Sequence, residues 1–448
     1  MNLDELKVIL KENGIVGAGG AGFPTYAKLN SKADVLIMNC AECEPLIRVD
    51  RQLIKIYTEE ILDTYEMMVQ VLGCEKGIIG IKSHYKESIE AIKHKIENYP
   101  KLELNILEDV YPAGDEVVLI YETTGRIVPE GAIPITVGAI VVNVETVLNI
   151  HNAVVNKKAV VDTYVTITGE VNNPITVKAP IGSKVIDLIN LAGGSKIEDY
   201  EIIMGGPMTG RLTTLNSYIT KTTKALIVLP KEHLVINKRK FDPSIDIKRA
   251  MSVCSQCRMC SDLCPRNQLG HVISPHKIMN TLANGLTEDI DTFTSTMLCC
   301  ECGICEMYAC HQGLAPRSLI AEMKLKLREK GIKNPHNNAP INVGRMREYR
   351  KIPIDRLIAK LNLTTYNVDA NLSPDRLKVK KVEINMRQHI GAPAVPIVKV
   401  GDEVYKGNVI GIVDEKNLGA FIHASITGVI VSVSENSIFI EARGDING

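Results

Sequence analysis

The runs CSQCRMCSDLCPR at 254–266 and CCECGICEMYACHQ at 299–312 hold two near-identical sets of four cysteines, in a chain with twelve cysteines in all. Cys254, Cys257, Cys260 and Cys264, followed by Pro265, read C-x2-C-x2-C-x3-C-P, and Cys299, Cys302, Cys305 and Cys310 nearly repeat that spacing. A cubane iron–sulfur cluster needs four thiolates converging on a compact site. A C-x2-C-x2-C turn presents three from one short loop, and the fourth comes from elsewhere. Paired C-x2-C units can also bind zinc, but three equally spaced cysteines plus a fourth, twice over, favour the cluster reading. The second run departs from type: its last gap is four residues, His311 stands where proline is usual, and Cys300 leaves a one-residue shift of the ligand set open.

The segment 241–335 reads as helical between its cysteines, and it resembles two-cluster ferredoxins, in which the last cysteine of each run ligates the other cluster. That resemblance implies Cys254, Cys257, Cys260 and Cys310 on one 4Fe-4S cluster, and Cys264, Cys299, Cys302 and Cys305 on the other. Reduced thiols suit a cytoplasmic location better than a disulfide framework does. The 448 residues, 45% apolar and with zero formal net charge, suit a globular protein of three or four domains. The balanced charge argues against a nucleic-acid partner. No signal peptide opens the chain, and no apolar run reaches the roughly eighteen residues that would suggest a membrane span. A soluble, cytoplasmic protein is expected.

The chain begins with an amphipathic helix over 1–16 that ends at Asn13-Gly14. VGAGGAGFPTYAK follows, a glycine-rich loop from which backbone N–H groups can approach a flat or anionic ligand. It is not the G-x-G-x-x-G of a strand–turn–helix unit, so a Rossmann dinucleotide site is disfavoured. The strand ADVLIMN delivers NCAECEPLIRVDR at its end, where loops of α/β folds carry function. Taken alone, Glu42 and Glu44 read as solvated loop carboxylates, and Cys40 and Cys43 as small buried apolar groups. A helix near 58–72, a strand at 77–82, a helix near 84–98 and the strand LELNILED continue an α/β pattern with a largely parallel sheet. YPAGDE at 111–116 and IVVNVETV at 140–147 place further polar groups at strand ends.

GAGGAGFPTYAK, NCAECEP, YPAGDE and NVET, in this order, resemble the FMN-binding domain shared by the flavin subunit of respiratory complex I and the RnfC component of Rnf-type electron-transport complexes. The resemblance implies FMN contacts from Gly17, Gly19, Gly20, Lys28, Asn39, Glu42, Gly114, Asp115, Glu116, Asn143 and Thr146. It places Phe23 and Glu44 where that family receives the nicotinamide of NADH. Ala18 and Ala41 depart from it, standing where complex I commonly has arginine and aspartate.

From Thr163 the pattern changes to TYVTITGEV, a turn, ITVKAP and the helix VIDLINLAGG, a β-grasp arrangement. It resembles the soluble-ligand-binding domain that follows the flavin domain in the same families, and GGPMTG at 205–210 and TKTTKALIVLP at 220–230 continue the likeness. Residues 336–375 read as a linker region with one short helix. The β-rich end resembles the barrel-sandwich module of lipoyl and biotinyl carriers. Aligning Gly401 and Gly428 puts Asn417 at the hairpin tip with Lys416 one place early, so no lipoylation is expected.

The expected organisation is therefore α/β multidomain. An α/β FMN- and NADH-binding domain spans 1–158, a β-grasp domain 159–240 and a helical two-cluster ferredoxin-like domain 241–335. A linker region covers 336–375, and an all-β barrel-sandwich hybrid 376–448. This order resembles the PduS-type cobalamin reductases of propanediol utilisation, whereas the RnfC component has its barrel-sandwich module first. The resemblance implies an NADH-dependent flavin/iron–sulfur reductase with FMN and two 4Fe-4S clusters. Its acceptor would be cobalamin or a corrinoid-dependent enzyme system, with a microcompartment interior, shell or adenosyltransferase contacts and oligomerisation left open. No catalytic side chain is required, because the cofactors carry the electrons. Two other readings stand beside it, an Rnf-like electron carrier serving another soluble reductase such as proline reductase, and a non-enzymatic docking adaptor.

Overall fold

The computed structural model describes residues 1–286, 288–340 and 342–443. The first helix, Leu3–Glu12, starts with a reciprocal capping box between Asn2 and Glu5 and buries Leu6 and Leu10. Behind it stands a sheet of four strands in the order Leu102–Leu107, Lys76–Lys82, Val35–Cys40 and Ala139–Asn143. All its pairings are parallel, which accords with the α/β pattern of the sequence. Val35–Cys40 is buried throughout, as its continuous apolar run demands of a strand covered on both faces. Asn39 lies opposite Asn143 at the carboxyl ends of their strands, which aims the following loops at one crevice. The helix Thr58–Leu72 matches its expected bounds, but the helix expected near 84–98 stops at Lys93 and gives way to a short turn at Ile96–Asn98. Pro100 bars Tyr99 from helical backbone, so the chain has left helix by that residue.

A second sheet has six strands in the order Leu372–Arg376, Ile175–Pro180, Asp162–Gly169, Ala225–Pro230, Tyr200–Met204 and Arg211–Thr213. Its two inner strands, Asp162–Gly169 and Ala225–Pro230, run parallel, and the helix Val185–Leu191 packs Val185, Leu188 and Ile189 into its core. Helices Pro243–Val253, Pro275–Asn284 and Pro316–Glu329 then frame the cysteine loops. A four-stranded and a three-stranded sheet between Lys381 and Glu441 form the last module. Among the described residues, no helix is long and apolar enough to cross a membrane.

Residues 336–375 differ from the expected linker. Ile352–Pro353 pairs with Val110–Tyr111 of the first module, and the helix Ile354–Lys360 buries Ile354, Leu357 and Ile358. Leu372–Arg376 then adds an edge strand to the six-stranded sheet. The prolines and asparagines suggest a loop, but the apolar residues among them find partners on two different modules. One hydrophobic cluster joins the first module to Met208, Ile227, Ile304 and Leu357, and another joins the six-stranded sheet to the C-terminal strands.

Candidate functional site

A cleft of about 530 Å³ opens at the carboxyl ends of the parallel strands and is closed on its far side by the six-stranded sheet. That volume is ordinary for a cofactor pocket. Ala18, Gly19, Gly20, Asn39, Glu42, Glu44, Gly114 and Asn143 form its first wall. The loop is held from behind: Ala18 N donates to Thr146 Oγ1 at 3.0 Å and Gly17 N to Phe23 O at 2.9 Å. Asn39 Nδ2 donates to Gly114 O at 2.9 Å, so the second and third loops share one support. Gly20 has φ +61° and open space where a side chain would begin, so its backbone faces the cleft bare.

Several sequence-predicted residues sit elsewhere. Gly17, Phe23, Lys28, Asp115, Glu116 and Thr146 are not among those lining the cleft. Lys28 Nζ and Glu116 Oε1 pair with each other at 2.9 Å. Asp115 caps the helix Glu116–Thr124 through Val117 N and Val118 N, and it pairs with Arg266 at 3.0 Å.

Glu42 and Glu44 are not solvated. Glu42 adopts φ +36° and turns inward, where Oε1 accepts from Val49 N and Asp50 N and Oε2 from Arg51 Nε at 2.8 Å. It thereby closes the N-terminus of the helix Asp50–Ile56. Glu44 accepts from Met208 N at 2.9 Å and from Thr209 Oγ1 at 2.5 Å, tying the first module to the loop at 205–210. Burial raises its pKa above the ordinary carboxylate value, against the opposing effect of those hydrogen bonds. Cys40 is buried, and burial pushes the Cys43 thiol up to about 11, so neither is set up as a thiolate.

The sequence reading leaves out the second wall. Gly205, Gly206, Thr209, Thr220, Thr222, Thr223 and Lys224 line the cleft from the six-stranded sheet. Their signal lay in the glycine- and threonine-rich GGPMTG and TKTTK stretches. A Cβ at Gly206 would collide with the Glu44 carboxylate. Lys224 pairs with the buried Glu145, whose pKa is raised by burial, and reaches Thr163 Oγ1 at 3.2 Å. Asp50, which also lines the cleft, has its pKa raised well above the usual value by burial and then by Glu42.

Two small cavities mark the cysteine loops. Cys254, Cys257, Cys260 and Cys310 ring one. Cys264, Cys299, Cys302 and Cys305 ring the other, with Cys300 as a fifth thiol. Both loops pass through left-handed backbone at equivalent places, Gln256 and Arg258 in the first (φ 54° and 66°), Glu301 and Gly303 in the second (φ 58° and 81°). That double reversal wraps each loop around its cavity. The longer gap before Cys310 is absorbed by a π-helical turn at Cys305–Ala309, whose wider turn takes up the extra residue. Among the described residues, no group of three or more His, Cys, Asp or Glu side chains converges tightly enough to hold a single metal ion. Four thiols ringing one cavity suit a multinuclear cluster, whose irons each take one thiolate. Beside the second set, the buried Arg266 Nη1 and Arg317 Nε have no hydrogen-bond partner among the described residues, as fits donors facing an anionic group.

The two thiol sets stand differently toward the cleft. Tyr111 Oη donates to Cys302 O at 2.7 Å, and a Cβ on Gly303 would lie 3.0 Å from Met208 O, in the loop that Glu44 holds. The second set is thus next to the cleft. In the first set Cys257 is exposed at the surface.

Comparison with known proteins follows the same division. Residues 10–152 match the Nuo51 FMN-binding domain, 164–212 the SLBB domain, 253–315 the 4Fe-4S dicluster domain and 371–444 the RnfC barrel sandwich hybrid domain. The cobalamin reductase PduS of Salmonella typhimurium is 40% identical over 98% of this chain and 97% of its own length. The chain belongs to the PduS cobalamin reductase family. The Citrobacter freundii member of the family is likewise 40% identical, over 95% of this chain and 94% of its own. The C component of the Na(+)-translocating ferredoxin:NAD(+) oxidoreductase complex of Acetobacterium woodii is 34% identical over 59% of this chain and 58% of its own. The two PduS relatives thus match nearly this chain's whole length, and the Rnf-type relative only part of it. The chain is a mixed α/β multidomain protein with an FMN-binding, a 4Fe-4S dicluster and a barrel-sandwich domain.

Proposed function

We propose that this protein is an NADH-dependent cobalamin reductase that passes electrons from NADH through FMN and two 4Fe-4S clusters to a cob(III)- or cob(II)alamin acceptor. The observation that carries the reading is the nearness of the second thiol set to the glycine-lined cleft: Tyr111 donates to Cys302 O, and Met208, whose N–H is held by the cleft residue Glu44, lies against Gly303. Membership of the PduS family supplies the acceptor. A flavin between these sites converts the two electrons of a hydride into single electrons that clusters and a cobalt corrinoid can take.

The chain's own groups divide that task. Gly19, Gly20, Asn39, Gly114 and Asn143 offer backbone and amide donors to FMN. Gly17, Thr146, Lys28, Glu116, Asp115 and Glu42 hold the loops in shape from behind. Glu44 marks the nicotinamide side and also docks the second wall, while Phe23, off the cleft lining, supports the glycine loop through its carbonyl. Cys264, Cys299, Cys302 and Cys305 ligate the inner cluster, and Cys254, Cys257, Cys260 and Cys310 the outer one, where the exposed Cys257 marks the exit to the acceptor. The six-stranded unit is a β-grasp domain that covers the flavin, with boundaries near 159–240 plus the edge strand 372–376. A cytoplasmic or microcompartment setting, with shell or adenosyltransferase contacts, belongs to the same reading.

The test is anaerobic. The full chain, reconstituted with FMN, iron and sulfide, is titrated with NADH and then given cob(III)alamin. The flavin and cluster absorbance bleaches and then recovers as the corrinoid is reduced. Flavin that stays oxidised under NADH removes the nicotinamide donor, and recovery without corrinoid reduction removes the acceptor.

A further inference from the structure

Arg266 follows Cys264 and Pro265 on the short helix Pro265–Gln268, between the flavin-side loop and the second thiol set. Its side chain is 11% exposed and that of Asp115 13%. Arg266 Nη2 donates to Asp115 Oδ2 at 3.0 Å, while Nη1 is buried with no hydrogen-bond partner among the described residues. The guanidinium also contacts the Cys300 side chain and lies near Cys264. Lys324 and Glu306, near this cavity, are already engaged. Lys324 is held by Cys299 O at 2.8 Å and by Glu301 at 3.0 Å, and Glu306 accepts from Ser318 N and Oγ. Arg317 also lines the cavity, its Nε unpartnered. Around the first set, Lys238 donates to Gly313 O and Leu314 O, and the exposed Cys257 lets water screen the site.

We infer that the Arg266–Asp115 pair tunes the reduction potential of the inner cluster, Arg266 raising it and Asp115 restraining it. Reduction of a 4Fe-4S centre adds one electron, and one negative charge, to a site already ringed by thiolates. A buried guanidinium beside those thiolates stabilises the reduced form, and a carboxylate next to it does the reverse. Charges act strongly there because little water screens them, and cluster potentials respond to local charge and to hydrogen bonds at sulfur. Because Asp115 belongs to the flavin-side loop and Arg266 to the cluster loop, the pair couples the docking of the two domains to the energy of the first transfer between them. The inference rests on reading Cys264, Cys299, Cys302 and Cys305 as a 4Fe-4S site.

The test is a potentiometric titration of the reconstituted full chain followed by electron paramagnetic resonance, with Cys257→Ser used to assign the outer cluster's signal. Arg266→Gln lowers the midpoint of the inner cluster alone, and Arg266→Lys restores most of it. Asp115→Asn, which keeps the helix cap but removes the charge, raises the same midpoint. Opposite shifts confined to the inner cluster support the inference. Unchanged midpoints, shifts of one sign in both variants, or shifts in the outer cluster overturn it while leaving the cluster reading intact. A wild-type chain that takes up no iron and sulfide overturns both.

Discussion

Gly206 is required by a carboxylate remote from it in sequence. Glu44 occupies the place where its Cβ would be, and in return accepts from Met208 N and Thr209 Oγ1. Gly206→Ala must displace the Glu44 carboxylate, and with it the hydrogen bonds that tie the loop at 205–210 to the loop at Glu44, the two sides of the cleft. It is expected to cost about 1–3 kcal/mol by overpacking, read as a lower denaturation midpoint, together with weaker FMN retention on gel filtration. Retention equal to wild type removes this residue from the cofactor wall. Residues of this kind escape single-sequence reading. GGPMTG shows that a loop is present, but the group that excludes a side chain comes from another module. The thiols are different, because their spacing reports ligand geometry within one short loop.

Helix ends show the same contrast at the next scale. Asn2 and Glu5 cap the first helix within one turn, so its start is legible. The helix Asp50–Ile56 depends instead on Glu42, in a strained conformation with its carboxylate aimed back at Val49 N, Asp50 N and Arg51. Glu42→Gln keeps one acceptor but loses the charge, and is expected to cost about 1–2 kcal/mol. The measurement is denaturant unfolding, with hydrogen exchange at Val49 and Asp50 rising ahead of the rest of the module. Exchange unchanged at those amides refutes the capping role. The segment 336–375 belongs to this scale too. Its apolar residues are legible, but whether they serve a linker or three pieces of structure depends on the surfaces they meet.

Across the whole molecule, Lys221 links three modules. Its Nζ donates to Gly14 O at 2.7 Å and to Phe421 O at 3.0 Å, and its backbone N donates to Gln388 Oε1 at 3.0 Å. The nearby His423 is held at about 3 by burial and by this lysine. Burial lowers the Lys221 pKa to about 7. A neutral amine has two hydrogens for its two carbonyl acceptors, which fits that value. The native state therefore binds fewer protons than the unfolded chain between about pH 7 and the ordinary lysine value of about 10.4. Stability from this group rises as pH rises through that window and is lowest below it. Raising pH from about 7 to about 9 should raise the melting temperature of the wild type more than that of Lys221→Met. Equal slopes in the two proteins rule out a buried neutral Lys221.

The sequence by itself determined the chemistry that depends on local spacing: two runs of four spaced cysteines, a bare glycine loop at a strand end, and alternating elements that form a parallel sheet. These are legible because the groups involved lie within one loop or one strand, where covalent geometry sets their separation. Tertiary structure alone decided that the cleft has a second wall, that Glu42 and Glu44 are hydrogen-bonded supports rather than solvated charges, and that the inner thiol set lies near the cleft while the outer set brings one thiol, Cys257, to the surface. Each depends on groups far apart in the chain meeting in a dry interface, where burial and partner charge, not residue type, set what a side chain does.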